Sequence, residues 1–192
     1  MKLKFCGGAK SVTGANYLID DSVLVDCGLN QGSSFLEKIN FEPFAYDPKN
    51  IKAVLITHAH IDHIGRLPQL YKAGFRGDIF STPPTKDFAE ELLLDSENIL
   101  SKEARDKNKE PIYNLEDVGK VMRLWKKIDY HEKLKIGDLD IEFFNAGHIL
   151  GSSVILVSSA EKRIIFSGDL GNPPAPFIKD AEAIESALSS IK

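Results

Sequence analysis

The sequence has little cysteine, and it lacks any apolar run near the roughly 20 residues that a membrane-spanning helix needs. Cys6 and Cys27 are too few for a disulfide framework and lack the spacing of a zinc knuckle, so we expect reduced, buried thiols. The N-terminal residues also turn polar too early for a signal peptide. These absences exclude a membrane class and predict a cytoplasmic protein.

An excess of positive charge is missing as well. The chain has 24 Lys and Arg against 28 Asp and Glu, for a net charge of -4, which gives no overall electrostatic footprint for nucleic acid. A polyanionic substrate would therefore have to be held by local charge, chiefly that of a metal ion. With 192 residues, 43% of them hydrophobic, the chain is expected to form one domain over 1–192.

Histidine is scarce, but three of the 5 histidines are clustered. His58, His60 and His63 surround Asp62, directly after an apolar run that ends at Ile56 and predicts a buried strand. Imidazole nitrogens and carboxylate oxygens are ligands that zinc accepts, and a strand end holds them rigidly. The alternative is a polar loop in which Asp62 caps the next helix. That alternative needs four coincident placements, so we favour a metal site.

Two later strands end in the residue types that a metal site still lacks. His148 follows the predicted strand 141–144, and Asp169 follows the predicted strand 164–166. Either residue alone would more simply form a turn, but together with the first cluster they predict two further ligands. Asp26 ends an earlier strand, where it could orient a metal-bound histidine or form a turn before glycine. His131 lacks this context and is expected to be structural or at the surface.

The apolar patterns change from strands to helices, back to strands and then to a last helix. This order is typical of an α/β sandwich rather than a doubly wound sheet. The first half is expected to contain an antiparallel meander over 3–25, a loop over 32–50, a strand over 51–56 and one helix over about 64–73. His63 would lie at the start of that helix, where the dipole lowers an imidazole pKa.

A helical segment is predicted at about 84–125. Its first helix runs from 85 to about 103, and we expect its apolar face to consist of Phe88, Leu92, Asp95 and Ile99. Its second helix runs over 115–125. The strands expected after it are 128–131, 141–144, 154–157 and 164–166, with a final helix near 181–191.

These motifs, in this order and spacing, resemble the metallo-β-lactamase superfamily. The surrounding sequence is similar to the β-CASP nucleases, a branch that includes the pre-mRNA 3′-end endonuclease subunit and RNA-processing enzymes of bacteria and archaea. The segments that carry this second resemblance are 12–18, 65–68, the paired helices within 84–125, and 145–152. The resemblance implies an αββα sandwich.

The resemblance also implies a site for up to two zinc ions. The implied metal ligands are His58, His60, Asp62, His63, His148 and Asp169. The histidines at 58, 60 and 148 would bind one zinc, and the pair at 62 and 63 would contribute to a second. Asp169 would bridge the two ions, Asp26 would support a ligand histidine, and Asp62 and Asp169 would be the catalytic carboxylates. A metal-activated hydroxide would cleave RNA phosphodiester bonds.

The family continues after its Gly-Asp segment into a further strand, the β-CASP domain and additional histidines, whereas this sequence ends at Lys192. We therefore expect a sandwich that is incomplete at the C-terminus, with a second metal site that lacks its last ligand, in a truncated chain, a split gene product or a remnant. The exposed sheet edge predicts a homo-oligomer or a complementing fragment. Two other functions stay open: a catalytically inactive metal-binding scaffold, and a small-molecule hydrolase of the same fold.

Overall fold

A mixed six-stranded sheet forms the centre of the computed structural model, which describes residues 1–172, 174 and 177–182. Its strands are hydrogen-bonded in sequence order: β1 (Leu3–Gly7), β2 (Asn16–Ile19), β3 (Val23–Val25), β4 (Ala53–Leu55), β5 (Asp78–Ser81) and β6 (Trp125–Lys127). The first three form the predicted antiparallel meander. The next three strands each pair in parallel with the strand before them. Parallel pairing requires crossover connections, and these connections contain the helices.

The second sheet is antiparallel and has four strands in the order β10-β9-β8-β7. They are β7 (Leu134–Ile136), β8 (Leu139–Asn145), β9 (Ser153–Ser158) and β10 (Arg163–Phe166). The strand predicted over 128–131 is wrong. Trp125 begins β6 instead of ending a helix, because its indole N–H donates to Ser81 Oγ at 2.8 Å and holds it beside β5.

Successive side chains along each strand point to opposite faces of the sheet, so the apolar side chains form two separate layers. Leu18, Leu24 and Val54 face the helices, whereas Ile19 and Leu55 face the second sheet. Four side chains of β8 and β9 complete that inter-sheet layer: Ile141, Phe143, Ile155 and Val157. The order of helices, sheet and sheet confirms the α/β sandwich and provides three layers of the αββα arrangement. The helix predicted near 181–191 falls almost entirely outside the described residues.

The helices before β5 are shorter than predicted. One helix over 64–73 is wrong, because the chain forms α2 (Ile61–Ile64) and α3 (Leu67–Lys72). Pro68 lacks an N–H and is accommodated only in the first turn, so a new helix starts there. The loop expected over 32–50 contains α1 (Ser34–Ile39), where Ser33 Oγ accepts the Leu36 N–H, and a 3₁₀ turn (Pro48–Asn50).

The two helices of the predicted helical segment are α4 (Pro83–Asp106) and α5 (Leu115–Arg123). The face of α4 that carries Phe88 and Ile99 is not its buried face. Leu93 and Ala89 are fully buried, whereas Phe88 is 43% exposed and Ile99 is 52% exposed. Neither α4, the longest helix, nor any other helix in the described residues is long and apolar enough to cross a membrane.

This orientation of α4 predicts very different costs for two alanine substitutions. Leu93→Ala should lower the free energy of unfolding by about 2–4 kcal/mol, because it leaves a cavity in the core. Ile99→Ala should change it by less than about 0.5 kcal/mol, since the side chain is half exposed. Urea denaturation of both metal-free variants measures the difference. Equal costs, or a larger cost at Ile99, would contradict the orientation.

Candidate metal centre

Four strand ends meet on one side of the sandwich and bring the predicted site residues together. Asp26 follows β3, and Thr57 and His58 follow β4, its parallel neighbour, so their carboxyl ends are adjacent. His148 follows β8, and Asp169 follows β10 of the other sheet. The candidate centre therefore lies between the two sheets.

Four side chains direct donor atoms to one point. His60 Nδ1 lies 3.0 Å from His58 Nε2 and 3.3 Å from His148 Nε2. Asp169 Oδ2 lies 3.6 Å from His148 Nε2 and 3.8 Å from His58 Nε2. Tetrahedral ligands about 2.0–2.1 Å from zinc would be separated by roughly 3.3–3.4 Å. These four separations are thus close to those around a tetrahedral ion.

The protonation states of His58 and His60 suit metal binding. Burial, together with the nearby imidazoles of His63, His60 and His148, lowers the pKa of His58 to about 2. Burial and His148 also lower the pKa of His60, against the opposing effect of Asp62 and Asp169. Both rings are therefore neutral at neutral pH, so each keeps a nitrogen lone pair available for a metal.

A buried carboxylate orients the third histidine of the cluster. Asp26, only 1% exposed, accepts hydrogen bonds from the Thr57 N–H, the Thr57 hydroxyl and His63 Nδ1, each at 2.8 Å. Because an ionised carboxylate can only accept, a proton sits on His63 Nδ1, and Nε2 is the nitrogen that a metal could bind once it is deprotonated. That Nε2 faces Asp169 Oδ1 at 3.5 Å and Asp62 Oδ2 at 3.9 Å. Asp169 thus presents one oxygen to each half of the site.

The pKa expected for His63 is wrong in sign. Burial lowers the pKa, but the charge of Asp26 and its hydrogen bond raise it more, with help from Asp62 and Asp169. His63 also lies in the last turn of the four-residue helix α2, rather than at a helix start. The dipole argument therefore does not apply, and a neighbouring carboxylate determines the direction of the shift.

Thr57 is a site residue that sequence reasoning missed. Its hydroxyl donates to Asp26 Oδ2, so the same oxygen accepts from His58 Nδ1 at 3.1 Å. This contact places the proton of His58 on Nδ1 and leaves Nε2 free to face the other donors. The available signal was a hydroxyl residue directly before the first histidine at a strand end.

The turn that carries His148 is held by polar contacts of its own. Asn145 Oδ1 accepts the Gly147 N–H at 3.0 Å, and Ser152 Oγ accepts the N–H groups of His148 and Ile149 at 3.1 and 3.2 Å. His131 lies outside this group. Its Nε2 lies 3.0 Å from Glu182 Oε2 at the surface, as its lack of a motif indicated.

Close backbone packing fixes Asp62 and His63. The Cys27 N–H donates to the His63 carbonyl at 2.7 Å, and a Cβ at Gly28 would lie 1.6 Å from the Asp62 carbonyl oxygen. Only glycine permits this approach. Both cysteines, which lie within the described residues, are free thiols, and burial raises the pKa of Cys27 to about 12. Cys27 is therefore a structural thiol.

The fold and this cluster define a class of protein. The family profile of the metallo-beta-lactamase superfamily matches residues 13–185, and the chain belongs to that superfamily. A solved metallo-beta-lactamase from Cronobacter sakazakii has the same fold, with a TM-score of 0.58 at 19% identity over 92% of this chain and 64% of that chain.

The relatives narrow the class to one branch. The chain is 36% identical to ribonuclease TTHA0252 of Thermus thermophilus, over 94% of this chain and 40% of that protein. It is 36% identical to transcription termination factor FttA of Methanosarcina mazei (85% and 26%) and 33% identical to RNase aCSPSF2 of Saccharolobus solfataricus (94% and 35%). Two of these relatives are named as ribonucleases and one as a transcription termination factor, and the resemblance to the β-CASP branch is confirmed. The chain spans less than half the length of each.

Proposed function

We propose that this chain is the metal-binding part of a zinc-dependent hydrolase that cleaves RNA phosphodiester bonds. The observation that carries the proposal is the convergence of four donors, from His58, His60, His148 and Asp169, whose ligand atoms all lie within 4.8 Å of one another. Three imidazole nitrogens and one carboxylate are a ligand set that suits zinc. The names of the ribonuclease relatives support RNA as the substrate.

The proposed roles follow the contacts. The four donors would hold a first ion, and His63 and Asp62, together with Asp169, would contribute to a second. When bound, the metal supplies a hydroxide nucleophile at neutral pH and offsets the negative charge of the phosphate. Asp26 and Thr57 hold the rings of His63 and His58 in the tautomers that present their Nε2 atoms. Asp169, with a side chain 48% exposed, is the carboxylate most open to substrate.

Charge also supports a role for metal in binding RNA. The chain has a net charge of -4, so its own side chains would repel a polyanion unless positive charge is concentrated at the site. Divalent ions held between the two sheets provide that local charge. A cytoplasmic location, expected from the sequence, belongs to the same proposal.

An open side of the sandwich supports the expected association with a second copy or a complementing fragment, which stays a prediction. A cleft of about 270 Å³ leads from the candidate centre, where Thr57, His63 and Asp169 line it, to β1, β2 and β10. Phe5, Tyr17 and Phe166 form part of its wall. Phe5 is 60% exposed on β1, an edge strand of its sheet. Exposed strand edges beside apolar side chains favour pairing with another chain.

Metal removal tests the proposed function. The chain, purified without chelator, should contain one to two zinc ions and cleave a labelled single-stranded RNA. Cleavage should stop when a chelator removes the metal and return when Zn²⁺ is added back. Elemental analysis and gel electrophoresis measure the two results. Metal without cleavage of any substrate would favour the scaffold, turnover of a thioester or lactam but not RNA would favour a small-molecule hydrolase, and absence of metal would overturn the proposal.

A further inference from the structure

The first residues of α4 use their hydroxyl groups in an unusual way. Thr82 is the N-cap of α4, and a threonine there normally accepts a hydrogen bond from a backbone N–H in the first turn. In α4, all of which is described, the Thr82 side chain makes no capping hydrogen bond. Its hydroxyl instead donates to the Gly151 carbonyl at 2.6 Å, and the Thr85 hydroxyl donates to the same oxygen at 2.9 Å.

This carbonyl belongs to the turn that carries His148. Gly151 has a φ of +87°, and a Cβ there would lie 2.8 Å from the Thr85 nitrogen, so the turn and the start of α4 are in close contact. Thr82 and Thr85 are 1% and 0% exposed, whereas Leu150 on the outside of the turn is 55% exposed. The buried hydroxyls thus attach the turn to the body of the protein.

A second attachment shows what the turn is held against. The Ser153 N–H donates to the Thr57 carbonyl at 2.7 Å, which ties the end of the turn to the residue before His58. The turn is therefore fixed on one side to the strand that delivers His58 and on the other to α4. His148 lies between these fixed points and the three donors that it faces.

We propose that Thr82 and Thr85 are positioning residues, which set His148 for metal binding by holding the Gly151 carbonyl. The inference rests on the metal centre proposed above. Two hydroxyls that only supported α4 would be expected to cap it, and Thr82 does not. The two hydroxyls lie 3.0 Å apart, and both also contact the Gly151 carbonyl in the turn of a ligand.

Substitution of each threonine by valine tests the proposal, because valine keeps the shape and removes the hydroxyl. Thr82→Val and Thr85→Val should each raise the dissociation constant for Co²⁺, used as a spectroscopic probe for zinc, by about 3- to 10-fold. Loss of a direct hydrogen-bond partner of a ligand costs roughly 10- to 100-fold, and these contacts act one step further away. The visible absorption spectrum of bound Co²⁺ should change as well. Thr85→Ser should restore both the affinity and the spectrum.

Asn114→Ala provides a control for simple loss of stability. Asn114 caps α5 with a complete capping box, so its replacement weakens a helix of the same core without touching the His148 turn. Unfolding free energies from urea denaturation allow comparison of variants with similar losses. An effect on Co²⁺ affinity no larger than that of Asn114→Ala, or a serine variant that behaves like valine, would overturn the proposal.

The readout separates this inference from the proposed function. Co²⁺ binding that depends on the hydroxyls, in a chain that does not cleave RNA, would support the positioning role and refute the nuclease. RNA cleavage, combined with a Co²⁺ affinity and spectrum that neither valine substitution changes, would support the nuclease and refute the positioning role. If the wild-type chain binds no Co²⁺, both proposals fail.

Discussion

Replacing His60 with alanine should abolish metal binding and, with it, cleavage of RNA. His60 Nδ1 is the central donor, at 3.0 Å from His58 Nε2 and 3.3 Å from His148 Nε2. Metal affinity should fall by more than about 100-fold, because even an indirect partner of a metal ligand contributes roughly 10- to 100-fold. Elemental analysis after dialysis and a single-turnover RNA cleavage assay measure the two losses.

His131→Ala is the matched control for this substitution. Its side chain is 54% exposed and pairs with Glu182, on the outside of the second sheet, so removing it should leave metal content and cleavage unchanged. A His60→Ala chain that keeps its zinc would refute the proposed donor set. Equal losses in both variants would show that general damage to the protein, rather than a missing ligand, caused the effect.

Asp26→Asn should cause the largest loss of stability among these substitutions. The carboxylate is buried and accepts three hydrogen bonds at 2.8 Å, and an amide turns one acceptor into a donor that faces other donors. Breaking a buried, hydrogen-bonded pair of this kind typically costs about 3–5 kcal/mol. Asp26 has a φ of +57°, which asparagine tolerates, so backbone strain does not contribute. Urea denaturation of the metal-free chain measures the cost.

Asp21→Asn separates the effect of burial from that of the substitution itself. Asp21 also has a positive φ, of 53°, but its carboxylate is exposed and pairs with Lys2 at 3.2 Å. An exposed pair contributes about 0–1 kcal/mol, so this variant should be nearly as stable as the wild type. Comparable losses at both positions would mean that the buried network around Asp26 contributes little.

The sequence allowed the candidate ligands to be identified because the chemistry is local to strand ends. The cluster at 58–63 follows a short apolar run, and such runs predict buried strands well. His148 and Asp169 follow the same pattern in the second sheet, so composition and position were enough to select them. Their distances, and the role of Thr57 between Asp26 and His58, depend on contacts between distant segments and could not be derived.

The face of α4 could not be predicted for a related reason. Consecutive apolar residues at 92–94 place hydrophobic side chains on more than one side of the helix, so spacing alone supports two orientations. Packing against α5 and α2 selects the side that contains Leu93. The direction of the His63 pKa shift could not be predicted either, because it is determined by Asp26, which is 37 residues away in the sequence.

The division of the donors between the two sheets has a mechanical consequence. His60 follows the first sheet and His148 the second, and the two residues are 88 positions apart in the chain. An ion bound by both residues would cross-link the two sheets, much as a disulfide does when it closes a long loop. Pulling the sheets apart would then require the release of the ion. The free energy of binding would thereby contribute to the cohesion of the fold as well as to its chemistry.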